Sequence, residues 1–344
     1  MVLRKKPDRI TGILESAYNY RPSQRLQIPK FPPAIRARGS EEVLAEPENP
    51  LEPRSFSEFI GQDRAKEVLS IIVDSANKEH RIIPNILLTG PYGHGKTTLA
   101  KLIVRRHKKD VRIVDGASTD KLLLDKPSKG TIYIIDEAHN IPTEVTDSFN
   151  IQIDSGNLRV IACTTNPGAL PAPFRSRFRS IYLHDYTPVD LERIVFNALL
   201  RSKQSATHEA IQMIAARSKL NPRQALTILE FSREVRVLRG DREITADDLR
   251  EVFYKLDIDD RGLTALDQKY LSLLKYDTPV GLQFISSILS VDRETIQEEI
   301  EPYLIHLGLV ERTPRGRKKP LPNDIQSAVE ATLNRLIGES ALAR

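Results

Sequence analysis

The segment Gly90-Pro91-Tyr92-Gly93-His94-Gly95-Lys96-Thr97 constrains this chain more than any other. An apolar run from Asn85 to Thr89 leads into it, and Thr98-Leu99-Ala100-Lys101-Leu102-Ile103-Val104 follows with helical character. Strand, glycine-rich turn and helix in that order are the context in which G-x-x-x-x-G-K-[ST] cradles phosphate. Gly90, Gly93 and Gly95 let backbone amides converge on phosphate oxygens, and the positive end of the following helix adds to their field. Lys96 is expected to reach the β- and γ-phosphates and Thr97 to hold Mg²⁺, with Thr98 in the same nucleotide-binding set.

Around this loop the pattern from Arg54 to about Asp185 alternates helical stretches with short apolar strands, which predicts an α/β domain with a parallel sheet. Strands are expected at 85–89, 111–115, 131–136, 158–165 and 180–184. From Thr187 the strands stop, and helical periodicities at about 188–202, 206–218, 222–237 and 245–255 predict a small helical lid. Near Gly262 a third unit begins, with helices at 264–275, 281–289 and 293–306. A basic, glycine-bearing hairpin, Pro314-Arg315-Gly316-Arg317-Lys318-Lys319, follows them. Three short helices and such a hairpin predict a C-terminal winged helix, a fold that lays a helix and a wing on DNA. The expected division is therefore 1–50, 51–186, 187–259, 260–320 and 321–344. Seven prolines between Pro7 and Pro50 mark the first segment as a flexible tail, with a short helix possible from Ile10 to Tyr18. The last segment has the pattern of a terminal helix from Leu321 to Leu342.

Composition narrows the setting. Lys and Arg number 51 against 46 acidic residues, a mild excess that permits nucleic-acid binding without demanding it. The single cysteine, Cys163, excludes an intramolecular disulfide and sits in an apolar strand, where an inert buried thiol is expected. No secretion signal and no run of 18 apolar residues is visible, so a cytoplasmic chain without a membrane span is expected.

A second constellation completes the chemistry. Thr131-Ile132-Tyr133-Ile134-Ile135-Asp136-Glu137 reads as a buried strand ending in two carboxylates. Asp136 is placed for the Mg²⁺ shell and Glu137 for polarising an attacking water. Asp136-Glu137-Ala138-His139 spells DEAH, but a chain of 344 residues has no room for the second nucleotide-binding core of a DEAH-box helicase. The strand from Val160 delivers Thr165 and Asn166, either of which can sense a γ-phosphate. Arg175, Arg177 and Arg179 alternate after Phe174, and spacing does not choose among them as a source of transition-state charge. Pro222 and Arg223 open a helix. An arginine in a first turn is poorly placed for the helix dipole, which points to an anionic ligand such as nucleotide phosphate.

These elements in this order resemble AAA+ ATPases, and more closely the RuvB family of Holliday junction branch-migration motors, over about residues 51–319. Leu51 to Gln62 is similar to that family's adenine-pocket segment. Ile300-Glu301-Pro302-Tyr303-Leu304-Ile305 through Arg312-Thr313-Pro314-Arg315-Gly316-Arg317 resembles its winged-helix signature, and Gly262 to Asp267 and Pro279 to Leu282 agree with it. The resemblance implies adenine contact by backbone and side chains of Phe59 and Ile60, a first sensor at Thr165, an arginine finger at Arg177 and a second sensor at Arg223. It places Arg315 and Arg317 on a DNA-facing wing. It also implies a homo-hexameric ring on branched or duplex DNA, with ATP at subunit borders. Two departures stand out. Tyr92 and His94 replace a proline and a small or aliphatic residue in the phosphate loop. Only 27 positions separate Glu137 from Thr164, too few for the β-hairpin on which the family docks its partner RuvA, so that docking is in doubt. An ATP-dependent DNA motor that drives branch migration of Holliday junctions or related branched DNA is the expected activity. The alternatives are an ATP-dependent DNA-loading switch and a protein-remodelling adaptor.

Overall fold

The computed structural model describes residues 49–119, 130–240 and 242–320. The expected helices at Ile10–Tyr18 and Leu321–Leu342 lie outside these residues. After helix α1 (Asp63–Lys78) come β1 (Ile86–Thr89), α2 (Lys96–His107), β2 (Val111–Asp115), β3 (Ile132–Asp136), α3 (Thr143–Asp154), β4 (Arg159–Thr164), the short α4 (Ala172–Arg175) and β5 (Arg179–Tyr182). The five strands form one parallel sheet in the order β2-β3-β4-β1-β5.

Alternation along these strands divides the interior into two layers. Ile86, Leu88, Ile132, Ile134, Ile161 and Cys163 pack with Leu69, Val73, Leu99 and Ile103 of α1 and α2. Leu87, Tyr133, Ile135, Val160 and Ala162 turn the other way, onto Val145, Phe149 and Phe174. A sheet covered on both faces needs near-continuous apolar strands, as the sequence supplies. Cys163 is fully buried, and that burial pushes its thiol well above the ordinary range, so the inert thiol expected of it is what the fold contains.

Helices α5 (Pro188–Arg201), α6 (His208–Arg217), α7 (Pro222–Arg239) and α8 (Ala246–Lys255) close on a core of Val195, Leu199, Ile214, Ile228, Leu249 and Val252. Their starts are written in the sequence. Thr187 and Asp190, and again Thr245 and Asp248, form reciprocal capping boxes, while Asn221 caps α7 with proline following it.

A further core of Leu263, Tyr270, Ile285, Ile296, Ile300 and Leu304 joins α9 (Ala265–Leu273) and α10 (Leu282–Leu289) to a helical run. The sequence predicts one helix over 293–306. The structure instead has α11 (Arg293–Thr295), a π-helical turn (Ile296–Ile300) and α12 (Glu301–His306). Pro302 lacks an N–H and crowds the carbonyl four residues before it, which accounts for the widened turn there. Strands β6 (Glu311–Thr313) and β7 (Gly316–Lys318) form the hairpin, and Val280 exchanges two backbone hydrogen bonds with Arg317 beside it. Between β3 and β4 the connection is a 3-10 turn at Ala138–Asn140 and α3, with no hairpin. Among the described residues no helix is long and apolar enough to cross a membrane.

Candidate nucleotide site

Strand β1 lies in the interior of the sheet, with β4 on one side and β3 beyond it, so these three carboxyl ends open into one crevice. A cavity of about 480 Å³ occupies it, in the range of ligand pockets. Gly93, Gly95, Lys96, Thr97 and Thr98 line its floor, Asp136 and Glu137 one side, Phe59 and Ile60 another, and Pro222 and Arg223 the lid side.

The phosphate loop depends on its glycines. Gly90, Gly93 and Gly95 have φ of +150°, +75° and +85°. A Cβ on Gly93 would lie 2.4 Å from Asn221 Oδ1, and one on Gly90 would lie 2.7 Å from the Leu183 carbonyl oxygen. Gly90 therefore serves the loop by letting β5 approach rather than by lining the cavity. Lys96 is buried and donates to the Gly90 and Pro91 carbonyls, each at 3.0 Å. Burial lowers its pKa, an effect that nearby Glu137 and Asp136 oppose. The Thr97 hydroxyl stands 2.9 Å from both Asp136 carboxylate oxygens. Glu137 sits in the left-handed region, at φ 45° and ψ 51°, uncommon for a residue with a side chain. Burial raises its pKa, and its Oε2 is 3.5 Å from His139 Nδ1.

Other expectations are modified by the geometry. The Phe59 carbonyl accepts from Lys66 Nζ at 2.7 Å and its amide donates to Ser55, so its backbone is engaged within the chain and its buried ring is what lines the cavity. Thr165 is outside the cavity wall, its hydroxyl donating to Glu298 Oε1 at 2.8 Å. Arg177 is also outside the wall, and its guanidinium grips Asp154 at 2.6 to 2.8 Å. Arg315 is exposed at the tip of the β6–β7 hairpin. The expectation for Arg317 is corrected: its guanidinium turns inward to the fully buried Glu301, at 2.7 Å, rather than out along the wing. An uncompensated buried carboxylate is costly, and Arg312, at 2.6 Å, and Arg317 together neutralise it.

The sequence reading missed the contacts of two residues at the site. Asn221 caps α7 and donates from Nδ2 to the Tyr92 carbonyl at 3.0 Å, tying the lid to the loop. Tyr92 itself receives Arg223 Nη1 at its hydroxyl, 2.6 Å away, with the guanidinium over its ring. The Asn-Pro pair was a cap signal. Tyr92 stood out as a departure in the phosphate loop, but nothing local named Arg223 or Asn221 as its partners.

Comparison with known proteins agrees with this arrangement. Residues 51–151 match the family described as Holliday junction DNA helicase RuvB P-loop domain, and residues 260–319 match the RuvB C-terminal winged helix domain. The Holliday junction branch migration complex subunit RuvB of Leuconostoc mesenteroides is 32% identical over 302 residues, 78% of this chain and 84% of that protein. The subunit of the same name from Nitratiruptor sp. is 31% identical, over 80% of this chain and 90% of its own length. The solved structure of the Thermotoga maritima RuvB Holliday junction branch migration motor superposes with a TM-score of 0.74 at 31% identity, covering 79% of this chain and 96% of that one. With a phosphate loop, paired carboxylates, helical lid and winged helix in one chain, and with these matches, the chain belongs to the RuvB family of AAA+ ATPases.

Proposed function

We propose that this chain is an ATP-hydrolysing motor that drives branch migration of Holliday junctions or related branched DNA. The observation that carries the reading is the Thr97 hydroxyl held by both oxygens of Asp136, beside buried Lys96, in a cavity walled by both sheet and lid. Lys96, now bound to loop carbonyls, can exchange them for β- and γ-phosphate oxygens. The loop amides and the start of α2 supply the remaining phosphate donors. Phe59 and Ile60 give the base an apolar wall.

The Thr97 hydroxyl and the Asp136 carboxylate are hard oxygen donors, a set that suits Mg²⁺. When bound there, Mg²⁺ would neutralise charge on the transferring phosphoryl group. Glu137, made more basic by burial, is positioned to take a proton from water. Arg223, on the lid, answers the nucleotide from across the cavity and would relay its state to the lid. Arg177 is assigned to a neighbouring subunit's site in a homo-oligomeric ring, taken as a hexamer from the resemblance. Arg315 is assigned to DNA phosphate, whereas Arg317 holds the wing. The helical β3–β4 connection offers no hairpin for docking of the RuvA type.

The test is ATP hydrolysis without DNA, with linear duplex and with a four-way junction, alongside strand exchange on the junction. The reading expects turnover stimulated by DNA, junction processing that requires ATP, and loss of nucleotide binding in Lys96→Ala. Turnover indifferent to every DNA form would sink the DNA motor in favour of a protein-remodelling role. Stimulated turnover without movement would favour a loading switch.

A further inference from the structure

The helical run that precedes the wing also reaches the nucleotide site. Glu298, in its π-helical turn, accepts the hydroxyl of Thr165 at 2.8 Å. Glu294, one turn earlier, meets His139 Nε2 at 2.7 Å, and His139 Nδ1 in turn lies 2.9 Å from the Thr164 hydroxyl at the end of β4. Glu299 lies close enough to Tyr92 and Arg223 for its charge to act on both, and Arg223 in turn bonds the Tyr92 hydroxyl. Both proposed phosphate sensors thereby face carboxylates of one short segment, Thr165 through a hydrogen bond and Arg223 through the charge of Glu299. Three residues past Glu298, Glu301 clamps Arg312 and Arg317 of the wing. Ile296 and Ile300 anchor the same turn in the winged-helix core.

We infer that Glu298 is a positioning residue that makes recognition of the third phosphate conditional on the wing. A carboxylate bonded to Thr165 withholds that hydroxyl from a γ-phosphate and opposes its charge, whereas ADP brings no charge to that corner. Binding of nucleotide triphosphate and docking of the Glu294–Glu299 segment therefore oppose each other. DNA drawing on the wing pulls, through Glu301, on the segment that carries Glu298. Coupling of this kind is reciprocal, so ATP must also favour DNA. Tyr92, one of the two phosphate-loop positions where the chain departs from its family, lies within reach of the charge of Glu299 in the same segment.

This inference rests on the nucleotide reading of the cavity. Its test is equilibrium binding of a non-hydrolysable ATP analogue and of ADP to the full chain, with and without duplex DNA. In the native chain, duplex is expected to raise affinity for the analogue relative to ADP by roughly tenfold, within the usual span of allosteric couplings. In Glu298→Ala the ratio should already be raised without DNA, with less than about a twofold further change on adding it, and ADP affinity should be unaltered. Glu298 is partly exposed, so its truncation leaves the fold intact, and retained ADP binding reports that directly. A ratio unmoved by Glu298→Ala, or equal changes for both nucleotides, would overturn the inference while leaving the nucleotide site standing. Failure of the native chain to bind either nucleotide would instead overturn the reading of the cavity.

Discussion

At Gly93 the backbone conformation and the neighbouring side chain impose the same requirement. Its φ of +75° disfavours any Cβ, and the space such an atom would fill holds the Asn221 amide, 2.4 Å away at its nearest atom. Asn221 uses that amide twice, capping α7 through Oδ1 and reaching the Tyr92 carbonyl through Nδ2. Gly93→Ala must therefore move either the loop or the start of the lid. Nucleotide affinity is expected to fall by roughly tenfold or more, since left-handed strain of about 1–2 kcal/mol adds to the clash. Titration with a fluorescent nucleotide measures it, and unchanged affinity would show that the loop–lid contact is dispensable. Gly95 is needed for another contact, because a Cβ there would come within 3.0 Å of the Phe59 ring.

The third unit shows how two arginines of one hairpin divide between structure and surface. Glu301 is fully buried and holds Tyr270, Arg312 and Arg317 at 2.6 to 2.9 Å. Glu301→Gln leaves two guanidinium groups without a counter-charge, and breaking a buried pair in this way costs about 3–5 kcal/mol. Early loss of hydrogen-exchange protection in β6 and β7 is the expected result. Arg315→Ala should leave that protection unchanged while weakening DNA binding and lowering the salt dependence by roughly one counterion. Asp292 starts the helical run by accepting the Thr295 amide at 2.8 Å and the Thr295 hydroxyl, which holds its carboxyl below the ordinary value. A depressed folded value stabilises above the unfolded pKa of about 3.9 and ceases to do so as pH falls through the folded one. Asp292→Ala should thus cost about 1 kcal/mol at neutral pH and almost nothing in strong acid, as paired melting curves would show.

These elements mark where the sequence stops being legible. The phosphate loop, the five strands and the capped lid helices were readable because each rests on neighbours a few residues apart, such as Thr187 with Asp190. The inward turn of Arg317 was not, because a wing position looks the same whether its guanidinium meets solvent or a buried Glu301 16 residues earlier. Nor was the Thr165–Glu298 contact, which joins positions 133 residues apart and belongs to no local pattern. The π turn sits between these cases. Pro302 announced a disturbance without saying which form it would take.

At the scale of the assembly, the placement of Arg177 decides how the chain can be complete. It lies after α4, bonded to Asp154 at the end of α3, and outside the wall of its own cavity. Lys96 lies buried at the head of α2 inside that cavity. A head-to-tail ring brings one subunit's outer face to the next subunit's cavity, so the two residues would act across a seam. Arg177→Ala and Lys96→Ala should each be nearly inactive as pure species. Mixed in equal amounts, subunits with an intact loop meet neighbours with an intact arginine at about one seam in four, and ATPase activity should return toward that fraction. Deleting both residues from the same subunit and diluting with native chain gives the same seam statistics, which provides the calibration. If mixed particles form, as light scattering can establish, and activity stays at the level of the separate variants, Arg177 serves its own subunit or none. The Asp154 pair would then be its purpose rather than a resting place.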